Sequence, residues 1–420
     1  MSLSESTLAG RFAFAGLCLM GIGLAFSISI AQTGLGITFV IFIATLFSAG
    51  RKSLSLKGAH WLKLLYLFFG GWVLWRIFHV IIAARPGGEL FEAREVWLML
   101  IPVFIWFYAS SRNRLHTVLA AFVLGAAVSS AWGIWNMRNE IFDMWTRGRG
   151  LSTMHHLNYA GVAAFAALLG LGLSWSYYYS GKKFRAALIL FLALLSFAGL
   201  WLTKSKGAIA AFAAVVPLFI YLQLHNRVHR WLFIALAVAG AAYLVPRLPE
   251  SIAEQYRFPP PEVHAGSQAE RRDLWQTGLA MIHDNPWVGY GERGYNEAYP
   301  RYQLPGATGV AQWDEKSREA SHMHNDFINT AVLYGAIGLL LQLGYYFLGF
   351  FAYLRERFHI RRQSDRPLAA AGASSLVLMA LMGVTQCHFT SEIVQMSFWV
   401  ALGSLFVLLD SDRSGRGEET

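Results

Sequence analysis

The residues best able to do chemistry in this chain are basic and sit in short motifs. His322 and His324 alternate in SHMHND, with Asn325 directly after the second histidine. An apolar run begins near Asp326, so His324 lies just outside a helix N-terminus. The positive dipole end there favours neutral imidazole, the form that can take a proton, and also attracts a phosphate. Arg147 and Arg149 stand in TRGRG, Lys204 and Lys206 in TKSKGA, and Arg271 and Arg272 side by side in AERRDLW. Arg76 lies inside an apolar stretch, flanked by Trp72, Trp75 and His79. Cations gathered at one membrane face without a matching acidic cluster suit a diphosphate, whose oxygens match forked guanidinium groups.

Each group also fits a plainer role. Arg147 and Arg149 suit interfacial anchoring, Arg76 suits snorkelling outward, and a histidine at a helix start suits capping. Lys204 and Lys206 fit such a role less well, because their turn is too short to be an ordinary solvated loop and cations at membrane depth are costly. His-x-His spacing suits two metal ligands, but no Cys and no compact Asp/Glu/His cluster supplies the rest. No metal site and no cofactor are therefore expected. The two cysteines, Cys18 and Cys387, lie in or beside apolar runs and build no disulfide framework. No Walker-type phosphate loop occurs, which disfavours nucleotide-driven transport.

The elements that must position these groups follow from composition. Of 420 residues, 55% are hydrophobic and 14% charged, against about 25% charged in soluble chains. That excludes a soluble enzyme, a disordered chain and a nucleic-acid-binding module. The net charge of +10 is a topology signal here, and no nucleic acid is expected as a partner. The first apolar run has no clear cleavage site before it and reads as a retained helix. Marking stretches of about 20 apolar residues predicts an all-α polytopic membrane protein of about twelve transmembrane helices. They fall over 11–30, 33–50, 61–83, 96–110, 116–137, 156–180, 186–203, 206–223, 231–248, 326–354, 369–386 and 393–410.

Short loops orient the bundle. One set carries Arg51, Lys52 and Lys57, then Arg112 and Arg114, Lys182, Lys183 and Arg185, Arg227 and Arg230, and an arginine-rich stretch from Arg355 to Arg366. The opposite set holds fewer cations, mixed with Glu89, Glu92, Glu95, Glu140 and Asp143. The positive-inside rule makes the first set cytoplasmic, with both termini. Three units result: transmembrane helices one to nine over 1–248, a proline-rich external loop domain over 249–325, and helices ten to twelve with a cytoplasmic tail over 326–420. A long loop among short ones is more often functional than a linker. Within it, Ser267 to His283 reads as an amphipathic helix with a Ser267/Glu270 capping box. Its apolar face carries Trp275, Gly278, Leu279 and Ile282, with Arg271 in the middle of that face and Arg272 at its border, and Asn285-Pro286 closes it.

The order of these motifs resembles a known family. HNDFINTAVLYGAIG reads His-Asn-x9-Gly-x-x-Gly, from His324 and Asn325 to Gly335 and Gly338, and is similar to the signature of bacterial O-antigen ligases. RRDLWQTGLAMIHDNPWVGYG resembles the loop motif of the wider O-antigen ligase/polymerase superfamily. TKSKGA looks like that family's Thr-x-Ser-Arg-Gly turn, with Lys206 at the usual arginine position, and HHLNYAG looks like its helix start. The resemblance implies a glycosyltransferase type C-like fold in a bacterial inner membrane, with the active site facing the periplasm. It implies transfer of a polysaccharide from an undecaprenyl diphosphate-linked O-antigen donor to a sugar hydroxyl of lipid A-core, metal-independent and inverting. His324 would be the base. Arg147, Arg149, Lys204, Lys206, Arg271, Arg272, His322, Asn325 and Arg76 would contact substrate, among membrane lipids. An O-antigen polymerase or a protein O-oligosaccharyltransferase would use the same donor, and a secondary anion transporter is the reading from a different class.

Overall fold

The computed structural model of the protein describes residues 7–48, 56, 59–82, 93–136, 154–224, 226–244, 262–263, 266–314, 320–360 and 362–414. Among the described residues the chain is helical, with no strand. In order, the helices are α1 (Leu8–Gly23), α2 (Ile28–Ser48), α3 (His60–Ile82), a 3-10 segment (Ala93–Leu100) continuing into α4 (Ile101–Tyr108), α5 (Arg112–Asn136), α6 (His156–Tyr179), α7 (Lys183–Leu202), α8 (Lys206–Gln223) and α9 (Arg227–Leu244). After them come α10 (Ser267–Asp284), α11 (Gly291–Ala298), α12 (Asp326–Glu356), α13 (Arg366–Gly383) and α14 (Glu392–Ser414). Nine of the described helices are long and apolar enough to cross a membrane: α2, α3, α5 to α8 and α12 to α14. The shorter apolar helices Leu8–Gly23 and Glu95–Tyr108, together with α9, complete the twelve predicted positions. The protein is a multi-pass membrane protein.

Small residues set how closely the helices approach. A Cβ at Gly34 would lie 2.4 Å from the Met20 backbone nitrogen, and one at Gly16 would lie 2.7 Å from the Gly34 carbonyl, so α1 and α2 meet backbone to backbone. The centre is α6 and α14, whose spanning windows are 83% and 94% buried, while α2 and α3 lie at the rim with 22%. α6 achieves this with Ala and Gly on every side, so several neighbours can close around it.

The loop elements form a second, smaller core. Leu274, Met281, Tyr295, Tyr299 and Met323 pack with Val332, Leu333 and Tyr334 from the start of α12. That start is separated from the rest of α12 by a break at Gly335, whose φ of 65° and ψ of −171° only glycine adopts without strain. The break frees backbone groups, and the loop takes them up. Tyr290 N–H donates to Val332 O at 3.0 Å, Ala336 N–H donates to Pro286 O at 2.8 Å, and the Trp75 indole donates to Tyr334 O at 2.9 Å. Non-helical backbone within a membrane bundle survives only when its polar groups find such partners. The approach is close enough that a Cβ at Gly335 would sit 2.1 Å from Trp287 O, and one at Gly289 would sit 2.6 Å from the Gly335 nitrogen.

Two local expectations differ from what forms. The Ser267/Glu270 capping box is absent: Ser267 is already helical and Gly266, at φ 100°, takes the cap position without a side chain. The buried face of α10 is Ala269, Asp273, Leu274, Thr277, Gly278 and Met281, and Leu279 is 56% exposed. The face turns because Arg272 neutralises Asp273, binding its Oδ1 at 2.6 Å, which lets an acid enter the core. Replacing Gly335 with Ala is expected to cost about 1–3 kcal/mol from backbone strain alone, beyond the steric conflict with Trp287. A fall in Tm with faster proteolysis of residues 266–314 in detergent-solubilised protein checks this; an unchanged Tm would contradict the docking.

Candidate active site

α12 begins with a cap that fixes the residue before it. Asn325 Oδ1 accepts from the backbone N–H groups of Phe327 and Ile328 at 3.0 and 3.1 Å. Its Nδ2 donates to Val384 O at 3.0 Å. The amide of Asn325 thus starts the helix and ties it to the turn after α13, which fixes the position of His324. His324 itself has φ 48°. It and Lys204, at φ 56°, are the two non-glycine residues with positive φ among the described residues. Such strain collects at functional sites, because the surrounding packing must hold it.

His324 has one ring nitrogen occupied and one open. Nδ1 lies 2.6 Å from Gln386 Oε1. A carbonyl oxygen can only accept, so Nδ1 carries the proton and Nε2 keeps its lone pair. Nε2 is buried and has no hydrogen-bond partner among the described residues. The same glutamine's Nε2 faces His322 Nε2 at 3.4 Å, and the two imidazole centroids are 4.4 Å apart. Burial holds the His324 pKa below its ordinary value; the Gln386 contact opposes this and the Arg271 charge adds to it. Burial, with His324 beside it, pushes His322 down to about 4, and burial with His322 nearby pushes His388 to about 4. All three rings are neutral at neutral pH.

The cations divide. Arg271 is half-buried, makes no hydrogen bond or ion pair among the described residues, and its pKa is lowered by burial. A guanidinium does not lose its proton in a protein, so a partly dry one invites an anion. Arg272 is engaged with Asp273 and with Val263 O at 2.9 Å. Arg76 pairs with Glu292 at 3.5 Å and lies 4.5 Å over the Tyr334 ring, which pins α11 to α3. Lys204 is half-buried in a turn where the Ser205 N–H bonds Thr203 Oγ1 at 3.2 Å, and Lys206 opens α8, exposed. Arg147 and Arg149 lie outside the described residues.

The motifs converge on the segment Thr385 to Thr390, which runs from the last two residues of the predicted span 369–386 into the turn after it. A Cβ at Gly207 would lie 2.0 Å from Thr385 Oγ1, so the lysine turn abuts the residue before Gln386. At Gly161, near the start of α6, a Cβ would come within 3.6 Å of His388 Nδ1. From the loop side, the Trp275 indole donates to Met323 O at 3.0 Å, and Gly278 packs on Met323 and Ile328. Gln386, His388 and Glu292 are the participants missed. The polar trio Gln386-Cys387-His388 closing an apolar run was the available signal.

Between pH 6.5 and about 4 the unfolded chain protonates histidines that the folded chain keeps neutral. Stability is therefore full above about pH 6.5 and is lost as pH falls towards about 4. The Tm should drop on going from pH 7.5 to 4.5, and His388→Gln should flatten that drop. Parallel pH–Tm curves for the two proteins would argue against it.

No curated protein matches the chain. Residues 190–343 match a protein-family model described as O-antigen ligase. The matched stretch holds the lysine turn, α10 with Arg271, the docked Asn285–Gly291 segment and His324, the same groups that the folding brings together at the head of α12. Over residues 190–343 the chain is thus similar to the O-antigen ligase family.

Proposed function

We propose that the protein is an O-antigen ligase, transferring O-antigen polysaccharide from undecaprenyl diphosphate to a sugar hydroxyl of lipid A-core in lipopolysaccharide biosynthesis. The observation that carries this reading is the pairing of an open imidazole nitrogen, His324 Nε2, with a half-buried cation, Arg271, that makes no hydrogen bond or ion pair among the described residues and whose charge reaches it. The acceptor hydroxyl gives its proton to Nε2 as its oxygen attacks the anomeric carbon of the donor. The bond from that carbon to the diphosphate oxygen breaks, the electron pair leaves with undecaprenyl diphosphate, and the anomeric configuration inverts. Arg271, with Lys204 and Lys206 across the Thr385 contact, offsets the charge growing on the diphosphate. A diphosphate leaves readily once its charge is met, so positioning and proton removal carry the transfer and no metal is required.

In this reading the short-loop arginines face the cytoplasm and both termini lie there. Residues 249–325 are the periplasmic loop domain, and the site opens on the periplasmic side of the inner membrane. Gln386 serves as the positioning residue that keeps the proton on Nδ1. An O-antigen polymerase or a protein O-oligosaccharyltransferase would share the donor half of this chemistry and differ in acceptor.

Reconstitution with purified lipid-linked donor and rough lipopolysaccharide, with and without chelator, tests the reading. His324→Ala should lower transfer by about 10²–10⁴-fold with donor binding retained, while Arg362→Ala leaves transfer unchanged. Elongated lipid-linked polymer in place of modified lipid A-core would mark a polymerase, and loss of activity on chelation would refute the metal-free step. The neutral imidazole is the active form and its pKa lies below 6.5, so the acidic limb of the kcat/KM profile should lie below pH 6.5. Gln386→Glu, placing a carboxylate on Nδ1, should move that limb upward. An unmoved limb would show that another group titrates.

A further inference from the structure

A polar cavity of about 240 Å³ lies among α3, the 3-10 segment, α12 and α14, under Glu292 of α11. Two of its lining side chains are buried and keep hydrogen-bonding positions open. Gln342, 3% exposed on α12, has the Tyr346 hydroxyl beside it and no well-formed hydrogen bond from its amide nitrogen or oxygen. Asp326, 1% exposed, accepts from Phe389 N–H at 2.9 Å through Oδ1, and its Oδ2 has no partner. Buried amides and carboxylates with open positions are rare in folded proteins, and each marks a place where a bound group would complete the bonding.

The chemistry of the lining selects the occupant. Glu95 and Glu292 bring two carboxylates against the single guanidinium of Arg76, which is already paired with Glu292. That balance repels phosphate. No group of three or more His, Cys, Asp or Glu among the described residues is arranged to hold a metal ion. The remaining walls include the aromatic rings of Trp72, Tyr334, Tyr345 and Phe389. An amide that both donates and accepts, a buried carboxyl group that can bond hydroxyls, and flat aromatic surfaces together match a neutral, hydroxyl-rich ring with apolar C–H faces. The volume falls below the roughly 300–1,000 Å³ of pockets for drug-sized ligands, so it holds a single ring.

We propose that this cavity is the subsite for the sugar ring that accepts the transferred chain. The proposal rests on the transferase reading above and divides its site by charge. The diphosphate stays with Arg271 and the lysine turn, because a ring bearing a diphosphate cannot be seated among these carboxylates. The neutral accepting ring sits beside Asp326, two residues from the base and across the Asn325 cap.

Saturation-transfer-difference NMR on the purified full chain in lipid nanodiscs tests this, with the methyl glycosides of glucose, galactose and N-acetylglucosamine as probes. At least one glycoside should bind saturably. Gln342→Leu should weaken it tenfold or more without changing the binding of undecaprenyl diphosphate, and inorganic pyrophosphate should not displace it. Thr330→Val, at a second lining position, repeats the measurement should the first variant fail to fold. In turnover, Gln342→Leu should raise KM for the acceptor tenfold and leave the KM for the donor unaltered. Absence of saturable binding by all three glycosides, equal binding by the variants, or displacement by pyrophosphate overturns the subsite. Because glycoside binding is read without turnover, binding in a protein that transfers nothing would sink the ligase reading and keep the subsite. Ligation with an unchanged acceptor KM in Gln342→Leu would do the reverse.

Discussion

Everything at the head of α12 depends on one backbone-to-backbone contact, the seating of Pro286–Tyr290 against the break at Gly335. A helix interrupted inside an apolar bundle leaves carbonyl and amide groups with no water to turn to. Here the loop supplies the missing partners, Pro286 O and the Tyr290 amide, with the Trp75 indole closing the third. The two chains approach so nearly that neither Gly289 nor Gly335 has room for a methyl group. The interlock explains why Asn-Pro and Gly-rich punctuation in the loop accompanies the x9-Gly spacing after His324: they are two halves of one joint.

That joint gives the imidazole its setting. With the loop seated, Trp275 and Gly278 close over Met323 from above, and Asn325 ties the helix start to Val384 from the side. His324 is left with a strained backbone, one nitrogen bonded and one open. The electrostatics then follow from placement. Burial keeps the histidines neutral, while Arg271 is held partly dry with no ion pair among the described residues. Neither feature belongs to a single motif; each arises only where two elements meet.

Much of this was legible in the sequence. All twelve spans are met by helices, because apolar length is a strong signal and polar breaks are sharp at Lys182, Lys204 and Asn325. The residue types at the site were legible too, since His-x-His-Asn and paired cations in an apolar chain have few ordinary uses. Three things were not. The face of α10 is set by Arg272 neutralising Asp273, a pairing of adjacent residues that hydrophobic periodicity does not register. The break at Gly335 was hidden because glycine is common in unbroken membrane helices, and only the docked loop makes it a break. Gln386 was absorbed into the span over 369–386, whereas α13 stops at Gly383 and leaves the polar turn free to meet His324.

The interruption of α12 has a mechanical consequence. Hydrophobic matching tilts a spanning rod according to bilayer thickness, and a continuous helix would swing its upper end through an arc as it leaned. Here the segment from Asp326 to Tyr334 is bolted to the loop and to α3, while the rod proper begins beyond the glycine. A lean in thicker or thinner lipid is therefore taken up below the Ala336–Pro286 bond, and the histidine at the top keeps its station.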